Sequence, residues 1–454
     1  MIRRLAATLS DASSLKGRAL KGGLVTLGGF GATQSLRLAS NLIMTRLLAP
    51  DAFGLMGVTM ALQVWIAMIS DLGIEPSVMR SKDGDKAEFL STARTVQLVR
   101  CLFIAAILVG AALALQPLAK AGVLKEGSVF ADPRLPVFVL CQAGAVVLFG
   151  LEAMRIALHN RKLDLIPVMR LELGAQILAI VSMITAAVSG AGVYSLAIGA
   201  LVTQAVKSGG SYVALKGPKT RFGWNRAYFD EIFHFGKWLI IASFFGFLVG
   251  RGDQIIFGYL FSLQDFSFYS IGLLWVLTGR TIVETVQKKV AYPAFAELHR
   301  ERPKDLTRVY RRMRLIYELG CFAFFAFLVL FSDLIVSILY TDAYQGVAHY
   351  MRLLSLIILI VPYRLLSSVM LTGGDSRNFT IITIVPGTVL FGVTPIIYHL
   401  YGRDPAIVFA CLAPLVAQPF NWRFASKYIA IDYARESVMA IVAIAAAILL
   451  INLA

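Results

Sequence analysis

Charge is what this chain has least of. Only 15% of its 454 residues are Asp, Glu, Lys or Arg, while 58% are hydrophobic, a balance that excludes an ordinary soluble domain. Acidic residues are the scarcest, 27 against 43 basic ones. Cysteine is limited to Cys101, Cys141, Cys321 and Cys411, each alone in an apolar segment, which excludes a disulfide framework and the close spacing of zinc or redox ligands. The five histidines (His159, His234, His299, His349, His399) are equally scattered, so no metal site is expected.

What is present instead is a series of apolar runs near 22–45, 55–74, 95–116, 136–155, 171–189, 194–213, 238–260, 268–287, 315–332, 350–371, 379–400, 405–421 and 437–454. A hydrocarbon core of about 30 Å is crossed by about 20 helical residues, so these runs predict an all-α integral membrane protein. The last is barely long enough to cross. The first is too long for a signal-peptide core and contains Arg37; it reads as an uncleaved first span. Ahead of it lie Arg3, Arg4, Lys16, Arg18 and Lys21, a basic amphipathic stretch suited to anionic membrane lipids.

A net charge of +16 would suggest nucleic acid in a soluble protein, but no nucleic-acid signature accompanies it and no such partner is expected. The basic residues mark topology. With the N-terminus in the cytoplasm, inner loops are rich in Lys and Arg, nine of them in 288–314, whereas the outer loops hold Arg46, Lys120, Lys125, Arg134 and Arg403. The positive-inside rule then fixes a multi-pass protein with a cytoplasmic N-terminus. The basic segment HRERPKDLTRVYRRMR reads as a lipid-facing helix.

The runs divide into a cytoplasmic segment 1–21, a six-helix lobe 22–214, a basic connector 215–237, a second six-helix lobe 238–430 and an extra hydrophobic helix 437–454. LLAPDAFGLMGV (47–58) can be laid on LFSLQDFSFYSI (260–271) at an offset of 213, matching Leu47 with Leu260 and Phe53 with Phe266, and Arg37 falls beside Arg251 at nearly the same offset. Six spans return the chain to its starting side, so two such halves share orientation. The expected architecture is two six-helix lobes around a central cavity, plus the extra C-terminal helix.

Three features, SLRLASNLIMTRLLAPDAFGLMGVTMALQVWIAMISDLGI (35–74), RGDQIIFGYLFSLQDFSFYS (251–270) and the two six-span lobes, resemble the Wzx-like oligosaccharide and polysaccharide flippases of the multidrug/oligosaccharidyl-lipid/polysaccharide export (MOP) superfamily. The resemblance implies a bacterial inner-membrane transporter, not an enzyme, that moves an undecaprenyl-diphosphate-linked oligosaccharide from the cytoplasmic to the periplasmic leaflet by alternating access. Its expected partners are the lipid-linked oligosaccharide, membrane lipids and polysaccharide assembly proteins. No cofactor is expected beyond coupling to H+ or Na+. A cation-coupled multidrug exporter of the same superfamily is the alternative, although the first span offers Arg37 and no carboxylate. A glycan polymerase or ligase is disfavoured by the short outer loops.

Charges inside the spans carry the functional expectation, because Arg or Asp at a span centre costs roughly 2.5–3.5 kcal/mol on insertion scales. Arg37, Arg251, Arg280 and Arg364 fall in or near spans 1, 7, 8 and 10 and are candidates to bind a diphosphate bidentately; the last two could instead snorkel to the interface. Asp253, turned about 200° from Arg251 on a regular helix, needs another partner, such as Arg280 or Arg37, or couples to a cation. Asp71, Glu75, Glu284 and Glu152 invite the same choice between ion coupling and ion pairing, Asp71 and Glu75 with Arg80 as partner, and Glu152 with Arg155, whose spacing of three suits a local pair. Gln34, Asn41, Gln418 and Asn421 are candidates for sugar contacts or for interhelical hydrogen bonds. Pro362, Pro386 and Pro395 are expected to interrupt spans 10 and 11.

Overall fold

The computed structural model describes the backbone of residues 15–69, 73–162, 164–218, 220–287, 291–373 and 375–452. Among the described residues every expected apolar run falls mainly on helix, and there is no strand. The long helices are Leu15–Leu47, Asp51–Ile69, Ala87–Lys120, Leu135–Gly150, Leu165–Ala186, Ser195–Val213, Arg226–Leu260, Leu263–Val286, Leu306–Leu339, Ser376–Tyr401 and Tyr433–Asn452. The tenth and twelfth runs are helices broken by 3-10 turns, over 347–372 and 403–425.

Nine helical segments among the described residues are long and apolar enough to cross a membrane, ten if Leu135–Gly150 and Arg155–Arg161 form one broken span. One of the nine, Leu165–Val213, doubles back on itself: Gly190 and Gly192 take φ of 88° and 53°, left-handed values that glycine adopts without a Cβ clash. The protein is therefore a multi-pass, all-helical membrane protein.

The chain forms two compact units, 1–126 with 130–243 and 127–129 with 244–454. The division lies inside Arg226–Leu260, so only 215–225 of the basic connector lies outside helix. The units open alike. Leu47 and Leu260, the residues paired by the internal repeat, each end a first helix of 33 or 35 residues. Phe53 and Phe266, one turn beyond, are both buried. In the second unit Ser262 caps its helix, its hydroxyl accepting from the Asp265 N–H at 3.1 Å.

Two local expectations fail. Pro386 and Pro395 lie within the continuous helix Ser376–Tyr401, and only Pro362 coincides with a break, the 3-10 turn Val361–Tyr363. Glu152 and Arg155 do not pair, because the fourth span bends by 62° between Gly150 and Arg155, so helical spacing does not apply there. Arg155 instead donates to the carbonyls of Tyr212 and Leu215 at 2.6 and 2.9 Å.

In a bilayer the backbone groups freed by such a break must be satisfied by protein. Gln97 Nε2 donates to the Phe149 carbonyl at 2.9 Å, Ser208 Oγ to that of Leu148 at 2.5 Å, and the Tyr212 hydroxyl to that of Leu151. Ser211 Oγ accepts from the Ala153 N–H at 2.9 Å. The bend is thus held by side chains of Ala87–Lys120 and Ser195–Val213.

The extra helix, Tyr433–Asn452, is 20 residues long and packs onto the second unit. A buried ionic cluster docks it. Arg314, 1% exposed, donates from Nε to Glu318 at 2.7 Å and places Nη2 3.3 Å from Glu436 Oε2. Its guanidinium covers the Tyr363 ring at 4.2 Å, and the Tyr310 hydroxyl donates to Glu436 Oε1 at 2.7 Å. Removing one partner of a buried pair costs about 3–5 kcal/mol. Arg314→Ala should therefore lower the melting temperature of the detergent-purified protein sharply and Glu436→Gln less, since the Tyr310 bond survives; an unchanged melting temperature for Arg314→Ala would remove this cluster from the account.

Candidate anion-binding site

One group of intramembrane charges in the second unit lies on three helical segments. Arg251 and Asp253 are near the end of Arg226–Leu260, Arg280 and Glu284 on Leu263–Val286, and Arg364 begins Arg364–Thr372 after the break at Pro362. Arg280 and Glu284 are four residues apart, one above the other on the helix surface. Arg280 Nε donates to Glu284 Oε1 at 2.7 Å, and Arg364 Nη1 lies 2.8 Å from the same oxygen. One carboxylate thus serves two guanidinium groups. Gln287 and Ser368 cross-link the same two segments by a 2.8 Å hydrogen bond.

The members of this triad differ in access. Arg280 and Glu284 side chains are 17% and 19% exposed, whereas Arg364 is 45% exposed. Arg364 can therefore turn N–H donors outward while still anchored to Glu284.

Asp253 finds a partner that sequence spacing did not suggest. The Tyr269 hydroxyl donates to its carboxylate, and no ion pair joins it to Arg280 among the described residues. Its charge still lies within the electrostatic reach of Arg251 and Arg280. Arg251 is half-buried and makes no ion pair among the described residues. Three guanidinium groups therefore share one membrane region with two carboxylates, leaving one positive charge in surplus. Fixed, weakly hydrated guanidinium donors in a low dielectric can bind a phosphate or diphosphate.

The other candidates separate from this group. Gln34, Arg37 and Asn41 follow the 3–4 spacing of one helix face on Leu15–Leu47, in the first unit; Arg37 is exposed and the two amides partly so. Glu75, also in the first unit, accepts from Asn160 Nδ2 at 2.7 Å, and Asp71 lies outside the described residues. Gln418 and Asn421 are buried. Asn421 Nδ2 donates to Gln418 Oε1 at 3.3 Å, and Gln418 Nε2 to the Pro414 carbonyl at 3.4 Å, so these amide groups bond within Arg403–Ala425. Tyr269 and the sharing of Glu284 were not legible in the sequence; the four-residue step from Arg280 to Glu284 was the one available signal.

The sequence pattern of the family described as polysaccharide biosynthesis protein matches residues 43–349, about two thirds of the chain. The chain belongs to that family. The matched region contains Arg251, Asp253, Arg280 and Glu284, while Arg37 and Arg364 lie outside it. No curated protein sequence matches the chain.

Among solved structures, the family member shares its fold with the lipid II flippase MurJ in an inward closed conformation, at a TM-score of 0.69 and 13% identity over 94% of this chain and 92% of that one. It is also similar to an inward-facing multidrug resistance MATE family transporter of the MOP superfamily, at a TM-score of 0.65 and 15% identity over 87% and 95%. A MOP superfamily transporter from Pyrococcus furiosus follows at 0.58 and 14% over 92% and 97%. The fold is that of MOP superfamily transporters.

Removing Glu284 leaves Arg280 and Arg364 as uncompensated like charges. Glu284→Ala is therefore expected to destabilise the protein by about 3–5 kcal/mol, and adding Arg364→Ala should recover part of that loss. Thermal unfolding of both single variants and the double variant measures this coupling; strictly additive effects would show that the shared carboxylate contributes nothing.

Proposed function

We propose that this family member is a flippase of the bacterial inner membrane, carrying a polyprenyl-diphosphate-linked oligosaccharide from the cytoplasmic to the periplasmic leaflet by alternating access of its two lobes. The observation that carries the reading is one group of three guanidiniums and two carboxylates in the second unit, where Arg280 and Arg364 share Glu284 and Arg251 has no ion-pair partner among the described residues. A lipid diphosphate must bring negative charge through a region that excludes water, and guanidinium groups held there can replace its hydration. The family's link to polysaccharide biosynthesis and the fold shared with a lipid II flippase support the same reading.

In this scheme the N-terminus is cytoplasmic, the protein transports and does not catalyse, and polysaccharide assembly proteins receive the cargo outside. Sugar selectivity is assigned to amides such as Gln34 and Asn41, which share a helix face with Arg37.

A multidrug exporter is the second reading, favoured by the fold shared with MATE transporters. Cationic drugs would be repelled by a positively charged site, so efflux of cationic dyes by cells expressing the protein would reverse the order of the two readings.

Deleting the gene in cells with no redundant flippase should trap the lipid-linked sugar on the cytoplasmic leaflet, whereas normal delivery would reject the proposal. Arg251→Ala should reduce polysaccharide export about 10- to 100-fold, from the roughly 1.5–3 kcal/mol of a hydrogen bond to a charged group, at unchanged membrane abundance. Loss of abundance would assign Arg251 a structural role instead.

A further inference from the structure

Two carboxylates are buried among the described residues, Glu152 and Glu436. Glu436 has Arg314 and the Tyr310 hydroxyl beside it. Glu152 is different: its one hydrogen bond is from Gln204 Nε2, at 3.3 Å, and no cation lies within 4 Å of it among the described residues. A carboxylate so placed is expensive to keep charged.

Its surroundings do little to compensate. The charge of Lys207 favours the carboxylate, and those of Glu75 and Glu172 oppose it. Lys207 itself reaches toward Glu172 at 3.9 Å. Arg155 is engaged by the Tyr212 and Leu215 carbonyls, and Arg100 by that of Ala67 at 2.8 Å. From the packed helices Cys101 and the Tyr212 phenol also face Glu152 closely enough to feel its charge. The resulting environment is buried and, among the described residues, without a counter-ion in contact, although Arg94, Arg100 and Arg155 lie on the same packed helices.

The same geometry argues against a metal cation. Sodium would need several oxygen ligands around the carboxylate. Here the facing group of Gln204 is an N–H donor, and the carbonyls of Leu148, Phe149 and Leu151 already accept from Ser208, Gln97 and Tyr212. A proton needs only the carboxylate.

Glu152 also sits where backbone can move. The 62° bend at 151–154 is held by side-chain hydrogen bonds, and these can exchange partners at less cost than a continuous helix can unwind. We propose that Glu152 is a proton-binding site, and that gain and loss of its proton shifts the broken fourth span between two arrangements and so couples transport to a proton gradient. Binding forms one O–H bond on a carboxylate oxygen from a solvent proton, and release breaks the same bond. The coupling half rests on the flippase reading, while the proton site stands without it.

Infrared titration of the purified full-length protein tests the site directly. The wild type should show a protonated-carboxyl absorption that disappears as pH rises, and Glu152→Gln, which keeps the size of the side chain, should lack it. An identical titrating band in Glu152→Gln would overturn the proposal. Glu152→Asp should keep a titrating band and so serves as the test if the Gln variant folds poorly. In cells, Glu152→Gln should lower polysaccharide export at least tenfold at wild-type membrane abundance; normal export would overturn the coupling. A titrating Glu152 in a protein that moves no lipid-linked sugar would reject the flippase reading and leave the proton site intact.

Discussion

The absence of water from the bilayer core governs this structure more than any single contact. Within it every freed backbone group and every charge needs a partner supplied by the protein. The break in the fourth span shows the backbone side of the constraint, with Gln97, Ser208, Ser211 and Tyr212 closing the groups that a continuous helix would have paired. The docking of Tyr433–Asn452 shows the charge side. Arg314 is fully buried because Glu318, Glu436 and the face of Tyr363 surround it.

Against that background the charges not fully compensated are the ones on which the proposed function rests. Glu284 is divided between Arg280 and Arg364, Asp253 relies on the Tyr269 hydroxyl, and Arg251 has no ion-pair partner among the described residues. Buried ion groups are weak evidence for stability, since apolar residues of similar size often stabilise as well. Their presence here fits a surface that must meet a charged cargo. The polysaccharide biosynthesis family and the MOP transporter fold are consistent with the lipid-linked cargo proposed above.

Much of the fold was legible in the sequence because it follows from apolar run length and from local turns. Leu47 and Leu260 each end a helix because the apolar run stops and a short turn begins. The site was only partly legible. Arg251, Arg280 and Arg364 announce themselves as charges in apolar runs, but that Arg364 shares Glu284, 80 residues away in sequence, depends on a tertiary approach with no local signal. Asp253 was read as either pairing with a cationic residue or coupling to a cation, and the structure supplies a bond from the neutral hydroxyl of Tyr269, which neither reading named. The bend at 151–154 was missed because no proline marks it, and the pairing of Glu152 with Arg155 failed for the same reason. Gln418 and Asn421 were polar in a span, which does not distinguish a cargo contact from the internal bond they make.

The most direct test of the central claim is leaflet exchange by the purified protein alone. In liposomes carrying a fluorescent polyprenyl-diphosphate oligosaccharide, the label accessible to an external quencher should shift between leaflets when the wild-type protein is present, and should stay fixed in protein-free vesicles. The same label attached to a polyprenyl alcohol without the diphosphate should not move. Equal movement of the diphosphate and the alcohol, or movement of neither, would contradict an anion-binding flippase.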